Sequence, residues 1–360
     1  MRRALWLVPP AIAVAVATIP LPSSWIETHY SRSVYLVLER RLTTWTNAIP
    51  VALADILIVA AAAALAMRAG AWRRRARNLG LRLAAGRAVA EVTATASAIY
   101  VLFVVLWGLN YGREPLRVQL DFDRARVTPA AVLAFATERA NRVNELHGPA
   151  HEAGWPTWET LPDGLAESFG RVQRQLADVL PATAGVPKRS TLTFYFERAG
   201  VSGMTNPFGL EVIVDRSQLP FERPFVAAHE WAHLAGYARE DEAGFVGWLV
   251  CLQGPPTARY SAELAALVTV MGSLSGDERR AVAEGIGAGP RRDIDAMRER
   301  EARVWPWLRR SAWGLYDRYL RANRVTEGVR SYGAAVELMV GTARREGHVP
   351  ARRPGAHGER

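Results

Sequence analysis

Residues 229–242 read HEWAHLAGYAREDE. His229 and His233 stand four apart, which on an α-helix is a little over one turn and roughly 6 Å of rise. Both imidazoles therefore leave one face and can grip a single cation. Glu230 is rotated off that pair by one residue, so it is set to hold water beside the cation rather than to ligate it. Zinc held there lowers the pKa of water to about 7, and Glu230 takes the proton as the water attacks a carbonyl. The expected chemistry is hydrolysis, with Zn2+ as cofactor, His229 and His233 as ligands and Glu230 as general base.

The arrangement is the His-Glu-x-x-His of zinc metallopeptidases. A catalytic zinc takes three protein ligands and keeps one position open. In the metzincin class a further histidine follows three residues after a glycine. Here Gly236 fits that pattern but Arg239 stands where the histidine would be, and arginine cannot ligate zinc. Glu240, Asp241 and Glu242 remain. If the chain turns at Gly236 and a new helix starts near Arg239, one acid of its first turns points back at the metal, giving the two-His, one-Glu pattern of gluzincins. Glu242 is favoured because Ala243 beside it leaves room for close packing, with Glu240 second. The other acids would cap the helix or orient a histidine. Arg330 and Tyr332, in GVRSYG, are candidate donors to the developing oxyanion: a charged donor and a phenol stand together at a turn before a helix.

The motif needs a frame. Its helix starts after Pro224 and stops at Gly236. A β-rich run, LEVIVD (210–215), precedes it and is placed to pair with an extended substrate. A second β-rich run, STLTFYF, covers 190–196, and SGMTNPFG supplies turn residues between the two. Helical patterns cover 129–146, 165–180, 224–236, 240–253, 257–273, 276–285, 292–321 and 330–344. A small sheet followed by a run of helices reads as an α+β, mostly helical domain over 113–345. The polar end EGHVPARRPGAHGER (346–360) reads as a disordered basic tail. Cys251, in the apolar GWLVCL, reads as buried and inert. Trp305, Trp307, Trp313 and Tyr316 read as core or membrane-interface aromatics.

The first 112 residues are of another kind. Apolar runs at about 4–21, 50–67 and 89–109 are each nearly free of charge and long enough to cross about 30 Å of hydrocarbon. Asp55 lies in the first turns of the second run, within reach of helix-end donors, and reads as structural. Between the second and third runs, 68–87 carries seven arginines and no acid. The positive-inside rule puts that stretch in the cytoplasm, so the connection 22–49 and everything after Trp107 lie outside. The first run also has the basic start and apolar middle of a signal peptide. The net charge of +10 is nearly all arginine, much of it in that one topology signal, so nucleic acid is not an expected partner. With a single cysteine there can be no internal disulfide and no cysteine-rich zinc cluster, and any metal must sit on His, Asp and Glu.

Four stretches together carry a resemblance: WGLNYGREPL (107–116), GMTNPFGLE (203–211), AHEWAHLAGYAREDEAGF (228–245) and YDRYLRANRVTEGVRSYGAAVEL (316–338). With them the chain resembles a bacterial family of membrane proteins known mainly as a domain of unknown function and grouped with zincin-like metallopeptidases. The resemblance implies zinc on His229 and His233, Glu230 as base, and an acid among Glu240–Glu242 completing the site. It supplies no substrate. The expected protein is a multi-pass protein of a bacterial cytoplasmic membrane, in contact with the lipid bilayer. Its extracytoplasmic zincin-like domain would cut peptides or envelope proteins. The rivals are a zinc-binding receptor or scaffold without catalysis, and a zinc hydrolase acting on a non-peptide envelope substrate.

Overall fold

The computed structural model describes residues 6, 8–177, 179–323, 331–343 and 348–353. The apolar runs are helical, as α1 (Val8–Thr18), α3 (Leu53–Leu79) and α4 (Leu81–Leu106), with α2 (Tyr35–Asn47) between the first two. Helices α3 and α4 are long and apolar enough to cross a membrane, and α1 with its sharply bent continuation would make a third span. Their apolar side chains lack protein cover: Val59, Leu65 and Met67 are each 68% exposed. Exposed apolar surface of that kind suggests membrane association. The arginine-rich stretch is not a loop. The two helices run through it and meet at Gly80, whose φ of +80° is cheap only for glycine, and Arg75 reaches back to Glu91 at 2.6 Å.

The connection 22–49 is helical too, and it belongs to the large body. A π-helix, Ile26–Val34, leads straight into α2. Tyr35 is fully buried in the same core as the motif helix. Thr43 donates to Leu210 O at 2.7 Å, and Glu39 accepts from Thr183 N. A division at residue 112 therefore cuts across the packing.

The start of α3 is fixed to the body by a buried acid. Leu53 N and Ala54 N donate to the Glu211 carboxylate at 2.9 and 2.8 Å. These are orphan donors of a helix N-terminus, where the macrodipole also favours an anion. Lys188 Nζ, equally buried, pairs with Glu211 at 2.9 Å and donates to Thr46 O at 2.7 Å. Asp55 accepts from Ser190 Oγ at 2.6 Å and Thr191 N at 2.9 Å, a structural junction.

Long helices dominate the body: α5 (Pro129–Ala153) and α6 (Leu161–Ala177) come first. The expected strand at 190–196 is instead mostly a short helix, α7 (Thr193–Ala199). Ser190 decides this: its Oγ accepts from Leu192 N, and its carbonyl accepts from Thr193 Oγ1. Such local side-chain bonds divert a β-rich run from a ladder. Among the described residues the sheet is one antiparallel hairpin, β1 (Gly203–Asn206) with β2 (Glu211–Val214), in the register Gly203↔Val214. Next come the motif helix α8 (Arg223–Leu234), then α9 (Glu240–Leu252), α10 (Pro256–Met271) and α11 (Gly276–Glu284). The expected helix 292–321 is two, α12 (Ala288–Glu301) and α13 (Pro306–Ala322). Pro306 holds Trp305 extended and starts a new helix. The last helix is α14 (Ser331–Gly341).

Trp305, Trp307 and Trp313 are between 37% and 57% exposed and so are not core residues. Cys251 is buried, as expected. Part of the expected tail is docked: Arg353 N donates to Gln119 O at 2.9 Å, and Arg352 bridges Leu120. Residues 346–347 and 354–360 lie outside the described residues.

The Glu211 junction gives a stability prediction. Glu211→Ala leaves buried Lys188 without its anion and should cost about 3–5 kcal/mol. It should read as a clear fall in melting temperature of the detergent-purified chain, and an unchanged melt would contradict this role.

Candidate metal centre

Two helices and the turn between them build the site. Pro224 opens α8, and His229 and His233 follow on one face. At Gly236, φ is +83°, which reverses the chain toward α9. A Cβ there would lie 2.9 Å from Asn110 Oδ1 and be strained besides, so glycine is required. Gly247 lets the two helices touch, since its Cβ would fall 2.9 Å from His229 N. Three carbonyls at the end of α8 are taken by side chains from the segments around the spans. Tyr35 OH donates to Leu234 O at 2.9 Å, Trp107 Nε1 to His233 O at 3.4 Å and Arg113 Nη1 to Ala235 O at 3.5 Å.

Of the three acids, Glu240 is the one the turn delivers. Its Oε2 lies 3.1 Å from His229 Nε2 and 3.6 Å from His233 Nε2. The three donor atoms fall within 4.8 Å of one another. Zinc–nitrogen bonds of about 2.0–2.1 Å put tetrahedral donors roughly 3.3 Å apart, so the donor set fits zinc in type and spacing. His233 Nδ1 bonds Tyr237 O at 2.8 Å, which turns its Nε2 toward the cluster. Tyr316 OH, from α13, donates to the other Glu240 oxygen.

Glu242, the acid favoured from sequence, is directed elsewhere. Its Oε1 accepts from Leu116 N at 2.7 Å, and burial with the Asp241 charge pushes its pKa up to about 7. Asp241 takes Arg117 at 3.0 Å and Arg239 at 3.1 Å. Consecutive helical residues are turned about 100° from one another, so only one of the three can face the histidines. The room beside Ala243 had no bearing on which. Arg330 lies outside the described residues. Tyr332 is in the first turn of α14, and its side chain is outside what is described.

Glu230 stands apart from the cluster, against β1. Thr205 Oγ1 is 2.9 Å from Glu230 Oε2 and 3.1 Å from its carbonyl oxygen. A Cβ at Gly203 would meet the Glu230 carboxylate at 2.8 Å. The strand beside the site is thus β1, whereas β2, the expected one, is fully buried behind it. Burial raises the Glu230 pKa, opposed by the two histidines. Burial alone would lower the His233 pKa, but Glu240, aided by Glu230 and Tyr237 O, pushes it up to about 9. Against its own burial, Glu240 is held well below the usual carboxylate range by His233 and then His229.

Sequence reasoning passed over Tyr316 and Thr205 as site residues. Their signals were present: two tyrosines three apart in YDRYL share a helix face, and GMTN precedes the motif by a hairpin. Residues 30–340 match the family described as "Protein of unknown function (DUF3810)". That is well over half of the chain, which therefore belongs to this family. No curated protein and no solved structure matches it.

The His233 shift gives a pH prediction. Its folded pKa is raised, so without metal the ion pair with Glu240 contributes stability in full below about 6.5. That contribution is lost as pH rises through about 9. A cation must displace the His233 proton, so zinc affinity should rise about tenfold per pH unit from 6.5 toward 9. Calorimetry in buffers of different ionisation enthalpy should find a proton released per zinc bound at pH 7.5. Zinc binding with no proton release would contradict the ion pair.

Proposed function

We infer that this chain is a membrane-anchored zinc metallopeptidase of the zincin type. The supporting observation is the convergence of His229 Nε2, His233 Nε2 and Glu240 Oε2, with Glu230 on the next face of the same helix. His229, His233 and Glu240 hold the ion. Zinc there supplies Lewis acidity, which acidifies water and polarises the scissile carbonyl. Glu230 accepts the proton from water and returns it to the leaving amine. Burial raises its pKa above the usual carboxylate range, which strengthens it as a base. Thr205 fixes the carboxylate that does this, and Tyr316 fixes Glu240 as a ligand. Strand β1 runs beside Glu230 and would align an extended peptide. Arg330 and Tyr332 are retained as candidate oxyanion donors. With the arginine-rich 68–87 cytoplasmic, the domain faces outside, and envelope peptides or proteins are its substrates.

A panel of quenched peptides and cell-wall fragments, cleaved by the detergent-purified protein, tests the reading. Glu230→Gln should lower kcat by about 10²–10⁴ while zinc content is unchanged. Tyr316→Phe should weaken zinc about tenfold or more. Peptide cleavage that survives Glu230→Gln would remove the mechanism, and cleavage of wall fragments alone would change the substrate class.

A further inference from the structure

Helix α5 carries a second histidine pair, His147 and His151, in HGPAH, and α12 brings Asp293 against it. The spacing is again four, so both imidazoles leave one face. Their rings stack 4.2 Å apart at 30°. Asp293 Oδ2 lies 3.0 Å from His151 Nε2 and 3.7 Å from His147 Nε2. The three donor atoms fall within 4.8 Å of one another. One carboxylate oxygen thus has two imidazole nitrogens turned toward it, and only the nearer is at hydrogen-bond distance. A His–Asp hydrogen bond alone would need one ring.

The fold builds this corner. Asn144 Nδ2 donates to Gly285 O at 2.8 Å, and its Oδ1 accepts from Gly287 N at 2.7 Å, tying α5 to the turn before α12. A Cβ at Gly289 would meet the His147 ring at 2.5 Å, so glycine allows α12 to come this close. Tyr260 OH donates to Asp293 Oδ2 and orients it. The rings of Tyr260 and Trp155 stand near edge-on to His151, at 5.9 and 5.1 Å. The His151 side chain remains 37% exposed, which leaves an entry path.

Two imidazoles, a carboxylate, a phenol holding the carboxylate and aromatic walls make the donor set and outer shell that suit zinc or a similar divalent transition ion. We propose that His147, His151 and Asp293 form a second metal site, sharing no residue with the first, in which the ion clamps α5 to α12. It does not depend on the hydrolase reading.

The test uses the full chain in detergent with His229→Ala and His233→Ala, which remove the first site's imidazoles. Zinc is titrated against a chromophoric chelator. About one zinc per chain should still bind tightly. Adding His151→Ala or Asp293→Asn should weaken it at least about tenfold, and Tyr260→Phe about tenfold. No tight zinc in the double variant, or zinc indifferent to His151→Ala and Asp293→Asn, overturns the proposal. If the double variant does not fold, His151→Gln in the native chain decides: zinc per chain falling by one supports the site, and no change overturns it.

Discussion

The last turn of the motif helix is the constraint on which the candidate site depends. A helix end leaves carbonyls without intrahelical partners, and each one buried unpaired costs about 1–3 kcal/mol. Here side chains meet three of them: Tyr35 at Leu234 O, Arg113 at Ala235 O, and Trp107 at His233 O, which also accepts from Gly236 N at 2.9 Å. Two of these donors follow the last apolar helix closely, and the third lies between the first two apolar runs. Arg113 is held in turn by Glu27 through two hydrogen bonds of 2.9 and 3.0 Å. The helix that carries the histidines is thus finished by side chains from segments that flank the apolar helices. This is also why residues 26–47 belong to the body.

The reversal at Gly236 follows from that closure. It sets the phase of α9 and so decides which acid meets the imidazoles. The other two neighbouring acids then stabilise the frame: Asp241 through Arg117 and Arg239, and Glu242 through Leu116 N. Buried charge is used the same way in the hairpin, where Glu211 and Lys188 join it to the start of α3. In both places a carboxylate satisfies donors from a distant segment. One unbalanced substitution would leave a buried group unpaired.

Much of the site was legible because His229, Glu230 and His233 are local: four residues on one helix fix their relation. The third donor was not, because choosing among three consecutive acids needs the phase of α9, which follows a turn at Gly236 packed against Asn110 and Tyr35, both far away in sequence. For Tyr316 the sequence showed a helix face in YDRYL but not its partner, since only tertiary packing brings α13 to Glu240. The apolar runs were legible from composition, and their ends were not: the arginine-rich stretch continues both helices up to Gly80. The run STLTFYF failed as a strand because Ser190, two residues past the bridge from Lys188 to β2, captures neighbouring groups, a local preference that outweighs β-propensity here. The pair His147 and His151 has no glutamate between its members, and its third donor comes from α12, so it did not stand out.

We propose one zinc between His229, His233 and Glu240. Anomalous diffraction at the zinc edge, from crystals of the full chain grown with zinc, addresses it most directly. A peak is expected within bonding distance of His229 Nε2, His233 Nε2 and a Glu240 carboxylate oxygen, with Glu242 still on Leu116 N. A map with no peak at that position, or a peak ligated by Glu242 instead, would contradict it.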